Sequence, residues 1–305
     1  MARLGMLVVV LGLLAWYVAR NAEDFRAVRD IPWSTLAAAL GLDVMIYVYS
    51  AAAIVLTVHL FGPGVGSLEA LLLALLTRFG NLLLPLRGGA VVRAVYLNRK
   101  HGLTYAHFLA GLSAMLLATM AVSLVCAIGG LGYVGWATGK TFPGAIVLLA
   151  AALVAIALTV VLHPRIGSGE AGGLRGHIQR LLDGYHLVSR HRPSLLGLLA
   201  VSGLHVITMA GLYALLLAAM GKPAPWGLLI VIVALGNIST VLQVTPGNVG
   251  VYEGMLAILG SLMGLAPADI LAASLAWRVL DTALILVAGP VSSLILTGKA
   301  MGPRR

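Results

Sequence analysis

The chain has 305 residues, of which 60% are hydrophobic and only 10% charged, with a formal net charge of +10. A soluble domain carries about 25% charged residues, and disorder requires low hydrophobicity, so this composition excludes both a water-soluble globule and a disordered chain. It fits an all-α polytopic membrane protein, in which a basic surplus marks the loops kept in the cytoplasm rather than a nucleic-acid surface.

A helix that crosses a bilayer needs roughly 20 apolar residues. The first apolar run, Leu4 to Ala19, has no small-residue cleavage site after it and reads as a retained first helix. The next runs are Ser34 to Leu60 and, beyond a Gly/Pro loop, Leu68 to Leu86. Arg87-Gly88-Gly89 then opens a basic stretch that ends at Lys100. Two further runs, Thr104 to Trp136 and Pro143 to Leu162, precede the only long polar segment, 163–193, with five Arg and four His. Its apolar positions Leu174, Ile178, Leu181, Leu182, Tyr185 and Val188 fall on one helical face. That spacing suits either an interfacial amphipathic helix or a solvated loop helix. Apolar runs resume at Ser194 to Met220, Trp226 to Val244, Val249 to Leu265 and Ala268 to Leu296, and a basic tail closes the chain.

An internal repeat organises this order. Pro85 and Pro246 each end an apolar run, each has a glycine four residues on (Gly89 and Gly250), and each unit runs on to a further glycine and a long helix. The offset is about 161 residues throughout. Pro removes a backbone donor and Gly tolerates unusual angles, so Pro85, Gly89, Pro246, Gly247 and Gly250 mark helix breaks. Paired breaks of this kind point to the binding site of a transporter, the other reading being two tight surface turns. The expected architecture is a single transmembrane domain over 1–305. It has about seven spanning helices and two broken or re-entrant hairpins, with halves at about 34–162 and 194–298 joined by the 163–193 linker. Placing the basic segments 87–100 and 163–193 in the cytoplasm makes the halves inverted and puts both termini inside. The Arg-bearing loop 20–32 then falls outside.

Ionisable and polar residues inside apolar runs mark functional sites. The candidates for substrate binding are Arg78, Asn81, Arg87, Arg93, Asn237, Glu253, Arg278 and Asp281, with Asp43 open between proton coupling and packing. Arg278 and Asp281 are three apart on one helix face and can pair, and Glu253 is placed to meet Arg278. An Arg cluster beside a helix break suits an anionic head group, the alternative for Arg87 and Arg93 being interfacial snorkelling. Gly250, Gly254, Gly260 and Gly264 read as a packing stripe, and the lone Cys126 as a packed thiol. No metal ligand set, nucleophile elbow or phosphate-binding loop occurs, so no cofactor, metal or catalytic residue is expected.

The segment Asn81-Leu-Leu-Leu-Pro-Leu-Arg-Gly-Gly-Ala-Val-Val-Arg93 resembles the first motif of the flippase-like integral membrane family. That family is related to the membrane domain of lysylphosphatidylglycerol synthases. Its second motif is resembled by Thr245-Pro-Gly-Asn-Val-Gly-Val-Tyr-Glu-Gly254 with Arg278 downstream. Ala90 stands where the family has Glu, Ser113 to Thr119 lack its charged residues, and no long polar domain follows Leu296. The resemblance implies an inner-membrane lipid flippase without aminoacyl transfer. Its expected partner is a membrane lipid substrate, with a second copy or a lipid-synthesis enzyme also open. A membrane enzyme acting on a lipid phosphate and a non-catalytic subunit of a lipid-modifying pathway are the competing functions. The first is disfavoured because the second turn, Pro246-Gly247-Asn248-Val249, lacks a Ser-Arg pair.

Overall fold

The computed structural model describes residues 28–61, 64–84, 87–162, 191–239, 245 and 248–300. The expected helix 4–19, the linker through residue 190, the tail beyond 300, and Pro85, Pro246 and Gly247 lie outside them. The described residues form helices and no strand. In chain order these are α1 (Trp33–Val58), α2 (Ser67–Leu83), α3 (Gly88–His101), α4 (Tyr105–Thr138), α5 (Pro143–Leu162), α6 (Arg192–Ala219), α7 (Trp226–Ser239), α8 (Val251–Leu262) and α9 (Pro267–Ala300). Four have the length and apolar composition to cross a membrane: α1, α4, α6 and α9 over Pro267–Gly298. The apolar stretches Pro143–Leu158, Trp226–Ser239 and Val251–Leu262 are shorter.

The boundaries follow local chemistry. The Thr104 hydroxyl accepts from the His107 backbone N–H at 3.2 Å and starts α4, which stops at Gly139 with φ 71°. Pro193 occupies the first turn of α6, where its missing donor costs nothing. Arg99, Lys100 and His101 sit in the last turn of α3, where cations complement the helix dipole. The basic stretch is therefore a helix of its own rather than a loop.

In lipid, helices associate by close contact of small residues rather than by hydrophobic drive. On α4, a Cβ added to Gly130 would lie 2.9 Å from the Gly227 carbonyl oxygen of α7. On α9, one added to Gly289 would lie 2.5 Å from Cγ of Phe79 on α2. Thus α7 leans on α4 and α2 leans on α9. The expected glycine stripe on α8 is only partly of this kind: Gly260 faces Ile270, whereas nothing lies within 4 Å of a Cβ on Gly254. Cys126 packs beside the main core.

Helices α2 and α3 form a hairpin around the closest approach in the fold. A Cβ on Gly89 would sit 1.8 Å from the Thr77 carbonyl oxygen, so no larger residue fits there. Asn81 Oδ1 accepts from the Gly89 N–H at 3.0 Å and closes the turn. At the other end of the hairpin, Glu69 accepts from Tyr96 Oη at 2.6 Å and Lys100 Nζ at 3.0 Å, and meets His101 Nε2 at 2.9 Å. Burial alone would raise the Glu69 carboxyl, but the hydrogen bonds from Tyr96, His101 and Lys100 prevail and hold it at about 2. The ends of α2 and α3 are thereby clamped to one another.

Candidate functional site

A cavity of about 300 Å³ lies where α1, α2, α3, α4, α6 and α9 converge with the tip of the α7–α8 hairpin. Its wall carries Asp43, Tyr47, Arg78, Asn81, Arg87, Arg93, His205, Asn237, Asn248, Trp277, Arg278 and Asp281 among apolar residues. Of the eight residues expected at the site from sequence, seven line this cavity. Glu253 stands behind the wall.

Two ion pairs shape one side. Arg78 Nε and Nη2 donate to Asp281 Oδ2 at 3.1 and 2.6 Å, and the Tyr47 hydroxyl donates to Asp281 Oδ1. Arg278 Nε donates to Glu253 Oε1 at 2.5 Å. The other Glu253 oxygen accepts from the Gly250 N–H at 2.6 Å, at the start of α8. A carboxylate there satisfies an orphan backbone donor and suits the helix dipole. Fully buried and held twice, Glu253 positions Arg278 and the broken segment. The sequence anticipates the Glu253–Arg278 contact. Asp281 takes Arg78, from the other half of the chain, as its closest cation, a pairing that i, i+3 spacing does not reveal.

Trp277 stands between these pairs. Its ring centroid is 6.0 Å from Arg78 Cζ and 5.8 Å from Arg278 Cζ, within reach of cation–π attraction. Its indole Nε1–H donates to Asp43 Oδ1 at 2.8 Å. Two bonds thus join α1 to α9, Asp43 with Trp277 and Tyr47 with Asp281, each across 234 residues of sequence. Asp43 and Tyr47 are one helical turn apart, as are Trp277 and Asp281. Matched steps in the same direction make α1 and α9 parallel at this level.

The opposite side belongs to the α2–α3 hairpin. Arg93 is 8% exposed, and its Cζ is 5.3 Å from the centroid of Phe108. That burial removes snorkelling as an account of Arg93. Arg87 sits at the hairpin tip with φ 58°, a left-handed backbone that costs an L-residue about 1–2 kcal/mol. Among the described residues the only other non-glycine with positive φ is Asn248, φ 59°, at the tip of the second hairpin. Both tips point residues into the same cavity. Strained backbone held at two facing turns is a feature of sites whose surroundings over-determine them. Ala90 lines the wall as well, so the position where the resembled family carries Glu presents a methyl group beside Arg87 and Arg93.

Sequence reasoning did not place Tyr47, His205, Tyr252 or Trp277 at the site; all four line the cavity. Tyr47 had a legible signal, since it lies one turn from Asp43 on the same face. Trp277 and Tyr252 had none, because aromatic residues are ordinary in membrane helices. Among the described residues no group of His, Cys, Asp and Glu is arranged to hold a metal ion.

No curated protein matches the chain. The family described as Lysylphosphatidylglycerol synthase TM region matches over residues 4–289, nearly the whole length and both hairpins. An intramembrane cavity lined by arginines agrees with the membrane and lipid setting of that family, and the chain belongs to it.

Proposed function

We propose that the chain is a flippase that carries an amphiphilic lipid with an anionic head group between the leaflets of the inner membrane. One observation carries the reading most: Arg87 and Arg93 bring positive charge into a cavity enclosed by apolar helices. A guanidinium as deeply buried as that of Arg93 is costly in such a place unless an anion meets it, and the planar fork of an arginine suits phosphate. The alanine at position 90 supports this, because it keeps a carboxylate off the wall where the head group would bind.

An inverted repeat supplies the means of alternating access. Its support is the succession of helices: α1 to α4 have 26, 17, 14 and 34 residues, and α6 to α9 have 28, 14, 12 and 34. Left-handed residues at both tips, Arg87 and Asn248, and the reciprocal leaning of α2 on α9 and α7 on α4 agree with it. On this reading the hairpins are re-entrant, both termini face the cytoplasm, and an even number of helices spans the membrane, with α1, α4, α5, α6 and α9 among them. The parallel run of α1 and α9 fits that topology. No catalytic step is assigned. The partner is the lipid itself, with a second copy or a lipid-synthesis enzyme as further candidates.

Proteoliposomes holding fluorescent phosphatidylglycerol test the reading, with dithionite reporting the outer leaflet. Arg93→Ala and Arg87→Ala should each slow transbilayer movement by about tenfold, the loss of roughly 1.4 kcal/mol of head-group stabilisation. Movement at the wild-type rate in both variants rejects the site.

A further inference from the structure

Asp43 stands apart from the other acids of the cavity. It lies ten residues into the 26-residue α1, about 15 Å along the helix and deep in a bilayer about 30 Å thick. Its side chain is 1% exposed. Oδ1 accepts from Trp277, but Oδ2 is buried with no hydrogen-bond partner among the described residues. The neighbouring acids are each answered by a cation, Asp281 by Arg78 and Glu253 by Arg278. No Lys, Arg or His nitrogen lies within 4 Å of Asp43 among the described residues.

We propose that Asp43 is an exchangeable proton site that couples lipid movement to a proton gradient; this rests on the transport reading given above. A buried carboxylate without a cation is neutralised most simply by a proton. The covered Oδ2 leaves no room for an ammonium or hydroxyl of a head group, whereas a proton needs no space.

The surrounding groups define how the proton leaves. On α1 itself, Tyr47 and Tyr49 face the cavity. Arg78 comes from α2, Arg87 and Arg93 from α3, His205 from α6, Tyr252 from α8, and Arg278 and Asp281 from α9. Helix α4 presents only apolar residues and Thr119. When the O–H bond of Asp43 breaks, the proton passes to water in the cavity and the electron pair stays on the carboxylate. Arg78, held over the same Trp277 that binds Asp43, is the cation nearest to hand to answer the new charge. An anionic head group on Arg87 and Arg93 disfavours a second negative charge in the same cavity, so anion and proton load together. The cargo then moves with a proton as one unit.

Two measurements on the full chain decide the proposal. A protonated carboxyl in apolar surroundings shows an infrared carbonyl stretch that a carboxylate lacks, and no reagent has to reach it. The spectrum of wild-type protein in nanodiscs minus that of Asp43→Asn should carry this band, weaker as pH rises. A difference spectrum without the band throughout the pH range in which the protein stays folded overturns the proposal. In proteoliposomes with fluorescent phosphatidylglycerol and the potential clamped by valinomycin and potassium, an imposed pH gradient should speed wild-type movement several-fold. Asp43→Asn should move lipid at a rate indifferent to the gradient, and Asp43→Glu should keep the response. An Asp43→Asn variant that responds as the wild type does also overturns the proposal. If the wild-type protein moves no lipid under either condition, the transport reading fails. The infrared signal of Asp43 needs no cargo, and it then decides the proton site alone.

Discussion

Asp281 and Arg78 illustrate the difference between a residue that builds the site and one that serves it. Removing one member of a buried pair costs about 3–5 kcal/mol because the other charge is left without an answer. Arg78→Leu alone should therefore lower the melting temperature in detergent markedly, while Arg78→Leu with Asp281→Leu should recover most of the loss. If the double variant melts no higher than the single one, the pair is not what holds α2 to α9. Gly89→Ala tests a different cost. With the new Cβ driven into the Thr77 carbonyl, overpacking of about 1–3 kcal/mol should appear as a lower melting temperature, with the α2–α3 turn opened. The sequence makes Asp43, Arg78, Glu253 and Asp281 legible as site residues, since a charge inside an apolar run calls attention to itself. It does not make their partners legible. Arg78 meets Asp281 across 203 residues, and only the fold brings them together.

The α2–α3 hairpin is the element on which sequence and structure meet most closely. Its glycines and flanking arginines announce a break, and Arg87 and Gly89 lie at the tip. Its basic second arm is read from sequence both as an orientation signal and, at Arg93, as a head-group site, and Arg93 stands in the cavity wall. Charge alone cannot separate the two roles. The face of α3 decides: Arg93 turns inward while Lys100 and His101 reach Glu69. That clamp has a defined pH dependence. The folded carboxyl of Glu69 titrates at about 2, below its ordinary 4.5, so the clamp contributes fully above about pH 4.5. The contribution is lost as pH falls from there toward 2. Thermal melts of wild-type protein and Glu69→Gln should differ at neutral pH and converge as the solution is acidified. A constant difference across that window assigns the clamp no electrostatic part.

For the whole molecule, the order of the described helices is legible from the apolar runs because lipid leaves helices few alternatives. The pairing of the halves was not, since it depends on small residues such as Gly130 and Gly289 whose contacts lie far along the chain. Orientation can be measured directly. With Cys126 replaced by Ala, single cysteines at Lys140 and Lys222 should react with an impermeant maleimide on one face of sealed vesicles. Cysteines at Arg99 and Arg192 should react only on the other. Labelling of all four from one face defeats the inverted arrangement. The two bonds that tie α1 to α9 also say something about how the protein comes into being. At synthesis rates of about 5–20 residues per second, the partners of Asp43 and Tyr47 emerge on the order of tens of seconds after them. Through that interval α1 sits in or beside the insertion machinery with a carboxylate that has not yet met its indole. A ribosome that stops before Trp277 leaves a chain with most of its helices and an intramembrane acid that has no indole to meet.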